Sequence, residues 1–257
     1  MLTLGVTACA LSEEPADPET SEADQAIAAT NKLAGNKLAA NKLAANKLAA
    51  NKLAAASFAA GTQAQPLVDT ADGRDVLTYM LQCALSPSQS LTFADSTGVK
   101  WTFAGQIGVA PAWTTRALTV TEQRWVTACL LARVNYFGVV VNLSLQGDLQ
   151  ALKTTAADKP FTDLDGAFYG NLFDPAGPKE YACDGPSTST VRVCADPDPA
   201  TNGTQTMCGF VEAGTCASGT SPACTLVSGK IQCRTALTNA ASTVSFQEVI
   251  GVFLVPN

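Results

Sequence analysis

The sequence predicts a mixed α+β domain that disulfide bonds hold together. Apolar residues recur at helical spacing in some segments and alternate in others, which predicts both helices and strands. Nine cysteines and no histidine among 257 residues predict the disulfides. We divide the chain into five parts: a truncated lipoprotein-type signal at 1–9, an acidic disordered tether at 10–26, pentad repeats at 27–60, an α+β domain at 65–182, and a Cys-rich extension with a C-terminal strand at 183–257.

Composition excludes several functions. The absence of histidine removes the Ser-His-Asp and Cys-His catalytic systems and all His-ligated metal sites. The formal net charge of −6 argues against nucleic acid as a partner, because phosphate neutralisation needs clustered Lys and Arg. No stretch of the chain approaches the length of an apolar transmembrane span. We predict no cofactor and no metal.

The N-terminus carries a lipidation candidate. Residues 6–9 read VTAC and resemble the lipobox of bacterial lipoprotein precursors, in which the cysteine, here Cys9, is diacylated. The usual basic region is missing and the apolar region is short, so we expect the true start to lie upstream. The alternative is an apolar N-terminus with an unmodified cysteine. Residues 12–24 contain six acidic and no basic residues, which predicts a solvated tether.

A five-residue repeat begins at Asn31 and reads NKLAG followed by four copies of NKLAA. Five residues turn an α-helix by about 140° net, so its leucines form no apolar stripe, and a strand would send them to alternate faces. Three interpretations stay open: an Ala-rich helix, a single coil of square β-solenoid, and a disordered spacer. We expect the repeat lysines to contact the acidic leader, an anionic cell-surface polymer or lipid headgroups; they are Lys32, Lys37, Lys42, Lys47 and Lys52.

Beyond residue 65 the pattern predicts individual elements. A helix is predicted at 73–85, and a hairpin at 90–94 and 99–103 around Gly98. Thr119 and Glu122 form a capping box that opens a helix to about residue 134. Strands are predicted at 137–145 and 244–255.

Without Cys9, eight cysteines remain, an even number that predicts four disulfides in an exported chain. We predict that Cys83 and Cys129 join the two helices on their core faces, and that near neighbours pair in the tail. The chain has no C-x-x-C motif and its tail spacings are unlike those of zinc sites, which argues against metal binding. The eight are Cys83, Cys129, Cys183, Cys194, Cys208, Cys216, Cys224 and Cys233.

Catalytic motifs are absent from the sequence. Residues 163–166 open like a calcium loop but lack the closing acid, so we interpret them as a turn. The three tryptophans, Trp101, Trp113 and Trp125, are interpreted as core residues rather than a sugar platform. Nothing in the spacing marks a carboxylate pair among the acids available to a glycosidase, which are Glu122, Asp148, Asp163, Asp165 and Glu180.

Residues 123–135, 166–173 and 207–210 resemble a family of uncharacterised exported proteins of the myxobacterial type. In that family Asn-x-Leu pentad repeats also precede a Cys-bearing domain. The resemblance implies an exported bacterial protein and no particular activity.

The sequence is therefore compatible with two functions. The first is a non-catalytic cell-envelope lipoprotein, anchored by lipid in the outer membrane or periplasm, that displays a binding or structural domain. The alternative is a secreted hydrolase of carbohydrate or peptide that uses carboxylates without histidine.

Overall fold

The computed structural model describes residues 32–216, 224–227, 230–234 and 245–256, with the backbone alone for 225–227, 230–234 and 245. Within these residues the α-helices are α1 (Gly35–Asn46), α2 (Pro66–Asp69), α3 (Ala71–Ala84) and α4 (Val120–Ala132). The strands are β1 (Leu33–Ala34), β2 (Ser90–Ala94), β3 (Lys100–Ala104), β4 (Val134–Asn135), β5 (Ser144–Gly147), β6 (Asp163–Asn171), β7 (Lys179–Asp184), β8 (Val211–Thr215), β9 (Cys224–Val227), β10 (Lys230–Arg234), β11 (Ser245–Phe246) and β12 (Ile250–Leu254). The predicted α+β class is confirmed.

The largest sheet of the described residues has the strand order β5-β12-β6-β7-β8. Its neighbours are antiparallel except for β7 and β8, which are parallel. Helix α4 packs on β6 and β12, and α3 packs on α4. Smaller pairings complete the fold: the β2–β3 hairpin, the sheet β11-β10-β9, and the parallel pair of β1 with β4. The core therefore lies between the central sheet and the helices.

Local capping explains where the two long domain helices begin. The Thr70 hydroxyl accepts a hydrogen bond from the Gly73 amide at 3.0 Å, which starts α3. At α4, the Thr119 hydroxyl accepts from the Glu122 amide at 3.3 Å, and the Glu122 carboxylate accepts from the Thr119 amide at 2.9 Å. Both predicted helices and the predicted hairpin around Gly98 are present.

Two predicted strands are wrong in extent. Of residues 137–145, only Ser144 and Leu145 are in a strand, at the start of β5, and 244–255 is divided into β11 and β12. Gly138 has φ 62°, which is incompatible with an extended strand. The predicted turn at 163–166 is also wrong, because these residues lie in β6.

The disulfides are confirmed in part. Cys83 and Cys129 join α3 to α4 with Cα atoms 5.9 Å apart, as predicted. In the tail, Cys183–Cys216 encloses Cys194–Cys208, so near-neighbour pairing is wrong for Cys183. The reason is the sheet: β7 and β8 are neighbours, which brings Cys183 to the end of β8 although Cys216 is 33 residues away.

The pentad repeat is built into the core. Leu38 is buried in α1 whereas Leu43, one repeat later, is 67% exposed, as the 140° step requires. The helix ends at Asn46, and the following turns let Leu48 and Leu53 be buried again. These leucines belong to the same hydrophobic cluster as α3 and α4. The structure thus favours the helical interpretation for residues 35–46, in a segment that shares the core of the domain.

The packing predicts opposite outcomes for two chemically identical substitutions. Leu38→Ala should lower the free energy of unfolding by about 2–5 kcal/mol, because it leaves a cavity in the core. Leu43→Ala, the matched control in the next repeat, should change it by less than about 0.5 kcal/mol. Chemical denaturation with the disulfides intact measures both. Equal effects would contradict the inclusion of the repeat in the core.

The remaining disulfide can be predicted from backbone register. Cys224 is disulfide-bonded, the other six domain cysteines with described side chains are paired with each other, and Cys233 lies opposite Cys224 in the β9–β10 hairpin. Non-reducing peptide mapping should therefore recover a Cys224–Cys233 peptide pair beside the three described pairs. A Cys183–Cys194 peptide pair would contradict the nested arrangement.

Candidate functional site

A loop at residues 136–140, the aromatic loop, exposes four large apolar side chains. Tyr136, Phe137, Val139 and Val140 have exposed fractions of 49%, 53%, 49% and 55%. The two aromatic rings meet edge to face with centroids 5.2 Å apart. Isolated exposed apolar residues are ordinary, but a contiguous group of this kind marks an interaction surface.

Asn135 gives the aromatic loop its shape. Its side chain is fully buried, its Oδ1 accepts from the Phe137 amide at 2.9 Å, and its Nδ2 donates to the Val139 carbonyl at 3.0 Å. The Gly138 amide donates to the Asn135 carbonyl at 3.2 Å. These local bonds take the place of the hydrogen bonds that residues 137–139 would make to a neighbouring strand. The loop therefore lies outside the sheets, and its apolar side chains are exposed.

Beside the loop lies a groove of about 550 Å³, here named the loop groove. One wall is the start of α1, where Ala34 occupies the N-cap position and provides no side-chain acceptor. Another wall contains Cys208, which the disulfide to Cys194 holds in place. The groove is lined by Ala34, Gly35, Asn36, Ala39, Tyr136, Phe137, Gly138, Met207, Cys208 and Gly209.

The lining of the loop groove is mostly uncharged. Its described lining is mostly apolar or backbone, with the Asn36 amide and the Tyr136 hydroxyl as polar side-chain groups. None of these lining residues is an acid, a lysine or an arginine. Its volume lies within the range of small-molecule sites, so a ligand would be held by apolar contact and a few hydrogen bonds.

The carboxylates named from the sequence are engaged in structural bonds, and of these Asp163 and Asp165 repel each other. Each one is bonded to a side chain or backbone group of the fold and does not face a second carboxylate across a cleft. Glu122 bonds to Arg116 and Thr119, Asp148 to Lys153, Asp163 to Ser187, Asp165 to Arg192, and Glu180 to Lys42.

Asp165 belongs to a buried ion pair. Arg192 bonds to the Asp165 carboxylate, donates to the Ala132 carbonyl at the end of α4 at 3.0 Å, and lies 4.6 Å from the Phe168 ring centroid. Burial raises the pKa of Asp165, and the Arg192 charge opposes that rise. The pair connects residues 27 positions apart and attaches the segment after β7 to the core.

The structure does bring together acids that the sequence analysis missed. Burial raises the pKa of Asp184 to about 6, with added repulsion from Asp196 and Asp165. Burial also raises the pKa of Glu212 to about 7, against the Gly214 amide bond and with repulsion from Asp184 and Asp196. Perturbed carboxyl groups of this kind occur at functional sites and also in structural networks. Asp184 lies in β7 and Glu212 in its parallel neighbour β8. Because the two strands are far apart in the chain, no local sequence pattern indicates that these acids are close.

The other predicted sites have different outcomes. Cys9 lies outside the described residues. Lys37 pairs with Asp72 and Asp75, and Lys42 pairs with Glu180. The remaining repeat lysines, Lys32, Lys47 and Lys52, are exposed.

The tryptophans do not form a shared surface platform. Trp113 and Trp125 are buried, and Trp101 is partly buried against the core beneath Arg74. Among the described residues, the sulfur atoms of Cys183, Cys216 and Cys224 lie close enough together to suit a metal, but all three cysteines are disulfide-bonded.

Comparison with protein-family models, with curated proteins and with solved structures finds no match to the chain. In the described part of the chain, none of the helices combines the length and apolar character needed to cross a membrane.

The acidic cluster predicts a pH dependence of stability. The folded pKa values of Asp184 and Glu212, about 6 and about 7, lie above the ordinary values near 4, so the folded state retains protons that the unfolded state releases. This contribution is complete below about pH 4 and is lost as pH rises through about 6 to 7. The melting temperature should therefore fall between about pH 5 and pH 8.

Glu212→Gln should flatten that fall, because it removes one of the titrating groups. Asp198→Asn is the control, since it removes a carboxylate that caps Ala200 and lies outside the cluster. Scanning calorimetry across this pH range measures both variants. Equal slopes for the wild type and Glu212→Gln would contradict the assignment.

Proposed function

We propose that the protein is a non-catalytic bacterial cell-envelope lipoprotein whose disulfide-stabilised domain functions by binding. The observation that carries the proposal is the aromatic loop beside the loop groove, an exposed apolar surface fixed by Asn135 and by the Cys194–Cys208 disulfide. The described lining of the loop groove offers apolar contacts and a few hydrogen bonds to a ligand, and it contains no pair of acidic and basic side chains. Cys9 is the proposed lipid anchor, in the outer membrane or periplasm.

Export has support independent of the lipobox. The disulfides among the described residues indicate an oxidising, extracellular environment, because such bonds persist there and are rare in the cytosol. An anionic polymer would meet chiefly Lys32, Lys47 and Lys52, since the domain's own acids engage Lys37 and Lys42.

One observation favours the alternative of a carboxylate hydrolase. Asp184 and Glu212 repel each other, and the pKa of Glu212 near 7 suits a general acid at neutral pH. Neither residue lines the loop groove. Failure of the wild type to cleave any member of a panel of soluble glycans and peptides would remove this alternative.

The anchor is tested by expression of the full-length gene, with any upstream residues, in a bacterial host. We expect the wild type in the membrane fraction with Cys9 carrying a diacylglyceryl group, as shown by mass spectrometry of the N-terminal peptide. Cys9→Ser is the control and should lack the modification. An unmodified Cys9 in the wild type would refute the anchor.

A further inference from the structure

We infer that the partner of the aromatic loop is a phospholipid bilayer, into whose interface Tyr136, Phe137, Val139 and Val140 insert. The inference rests on the proposed function for its cellular setting. It names the partner of the surface described above and adds a second membrane contact to the lipid at Cys9.

The residue types of the loop fit a membrane interface. Aromatic side chains favour the headgroup level, where an apolar ring and a polar tip meet both environments, as in Tyr136. Valines beside them add apolar surface that is about half exposed in the free protein. Residues 134–147 contain no charged side chain, and the preceding Arg133 is fully buried, so the loop itself carries no ionic group into the interface.

Charge selects the kind of bilayer. The whole chain has a formal charge of −6, so electrostatic attraction to anionic headgroups does not favour binding. Because the loop itself is uncharged, its affinity must come from burial of apolar area. A zwitterionic phospholipid surface is therefore the expected partner, for which phosphatidylcholine vesicles serve as the probe.

The first described residues of the domain lie beside the aromatic loop. Strand β1 runs parallel to β4, with Ala34 opposite Asn135. Gly138 of the aromatic loop lies against Ala34 of β1, since a Cβ built on Gly138 would be 3.7 Å from the Cβ of Ala34. The described chain thus begins beside the aromatic loop, so a lipid-anchored N-terminal segment would enter the domain on this side.

The loop is also ordered before it binds. The two Asn135 side-chain bonds fix its backbone, and the start of α1 and Cys208 line the groove beside it. A surface already held in shape loses less conformational entropy on binding, which favours insertion by a short loop.

The test uses the full chain with Cys9→Ser, so that no lipid is attached, and sedimentation with phosphatidylcholine vesicles. We expect this chain to bind. Val140→Asp and Phe137→Ser, each added to it, should weaken vesicle binding about tenfold or more, because they place polar groups in the apolar interface. Val120→Asp is the matched control, since Val120 and Val140 are both 55% exposed, and it should bind like the parent. Circular dichroism checks that each variant is folded.

Three results would overturn the inference: no binding of the parent to phosphatidylcholine, binding that requires anionic lipid, or an equal loss in Val120→Asp. A parent that self-associates through the loop without binding vesicles would assign the surface to a second copy instead, which also overturns it. Failure here is distinguishable from failure of the proposed lipoprotein function, which the mass of Cys9 decides separately.

Discussion

The rest of the structure depends on the burial of α4. Every residue from Trp125 to Ala132 is buried, so this helix has no long solvent-facing stripe and requires cover on several sides. Strands β6 and β12 of the central sheet pack on one side of α4, and α3 packs on another. The Cys83–Cys129 disulfide links α3 to α4. The repeat extends this cover: α1 packs on α3, and the Ala49 carbonyl accepts from the Leu118 amide just before α4.

The carboxyl end of α4 imposes a second requirement. Unpaired carbonyl groups there attract cations, and two fully buried arginines meet this end. Arg133 follows the helix directly, donates to Gln82 and lies 4.6 Å from the Tyr79 ring centroid, and its burial lowers its pKa to about 10. Arg192 arrives from the segment after β7 and bonds to Ala132 and Asp165. The folding of the Cys-rich extension is thereby coupled to the helical core.

Short-range chemistry made part of this predictable from sequence. The Thr119–Glu122 box and the hairpin around Gly98 follow from local spacing. The Cys83–Cys129 pair follows from helical periodicity, which places each cysteine on the core face of its helix. The parts that failed depend on side-chain bonds and strand pairings that hydrophobic periodicity does not reveal. The valines after Phe137 are typical of a strand, but they lie in the aromatic loop because the Asn135 side chain bonds to its backbone. Cys183 is bonded to Cys216 because β7 and β8 pair in parallel. The candidate site is hence the region that sequence patterns described least well.

The central claim is that the pentad repeat and the disulfide-stapled domain form one cooperative unit around α4. Native-state hydrogen exchange tests it most directly, through the amides of α1 and α4. We predict that amides in the middle of α1 are protected to within about tenfold of those in α4, and that both lose protection together as denaturant is added. Protection of α1 lower by more than about a thousandfold, with α4 unchanged, would contradict it and make the repeat a separate appendage.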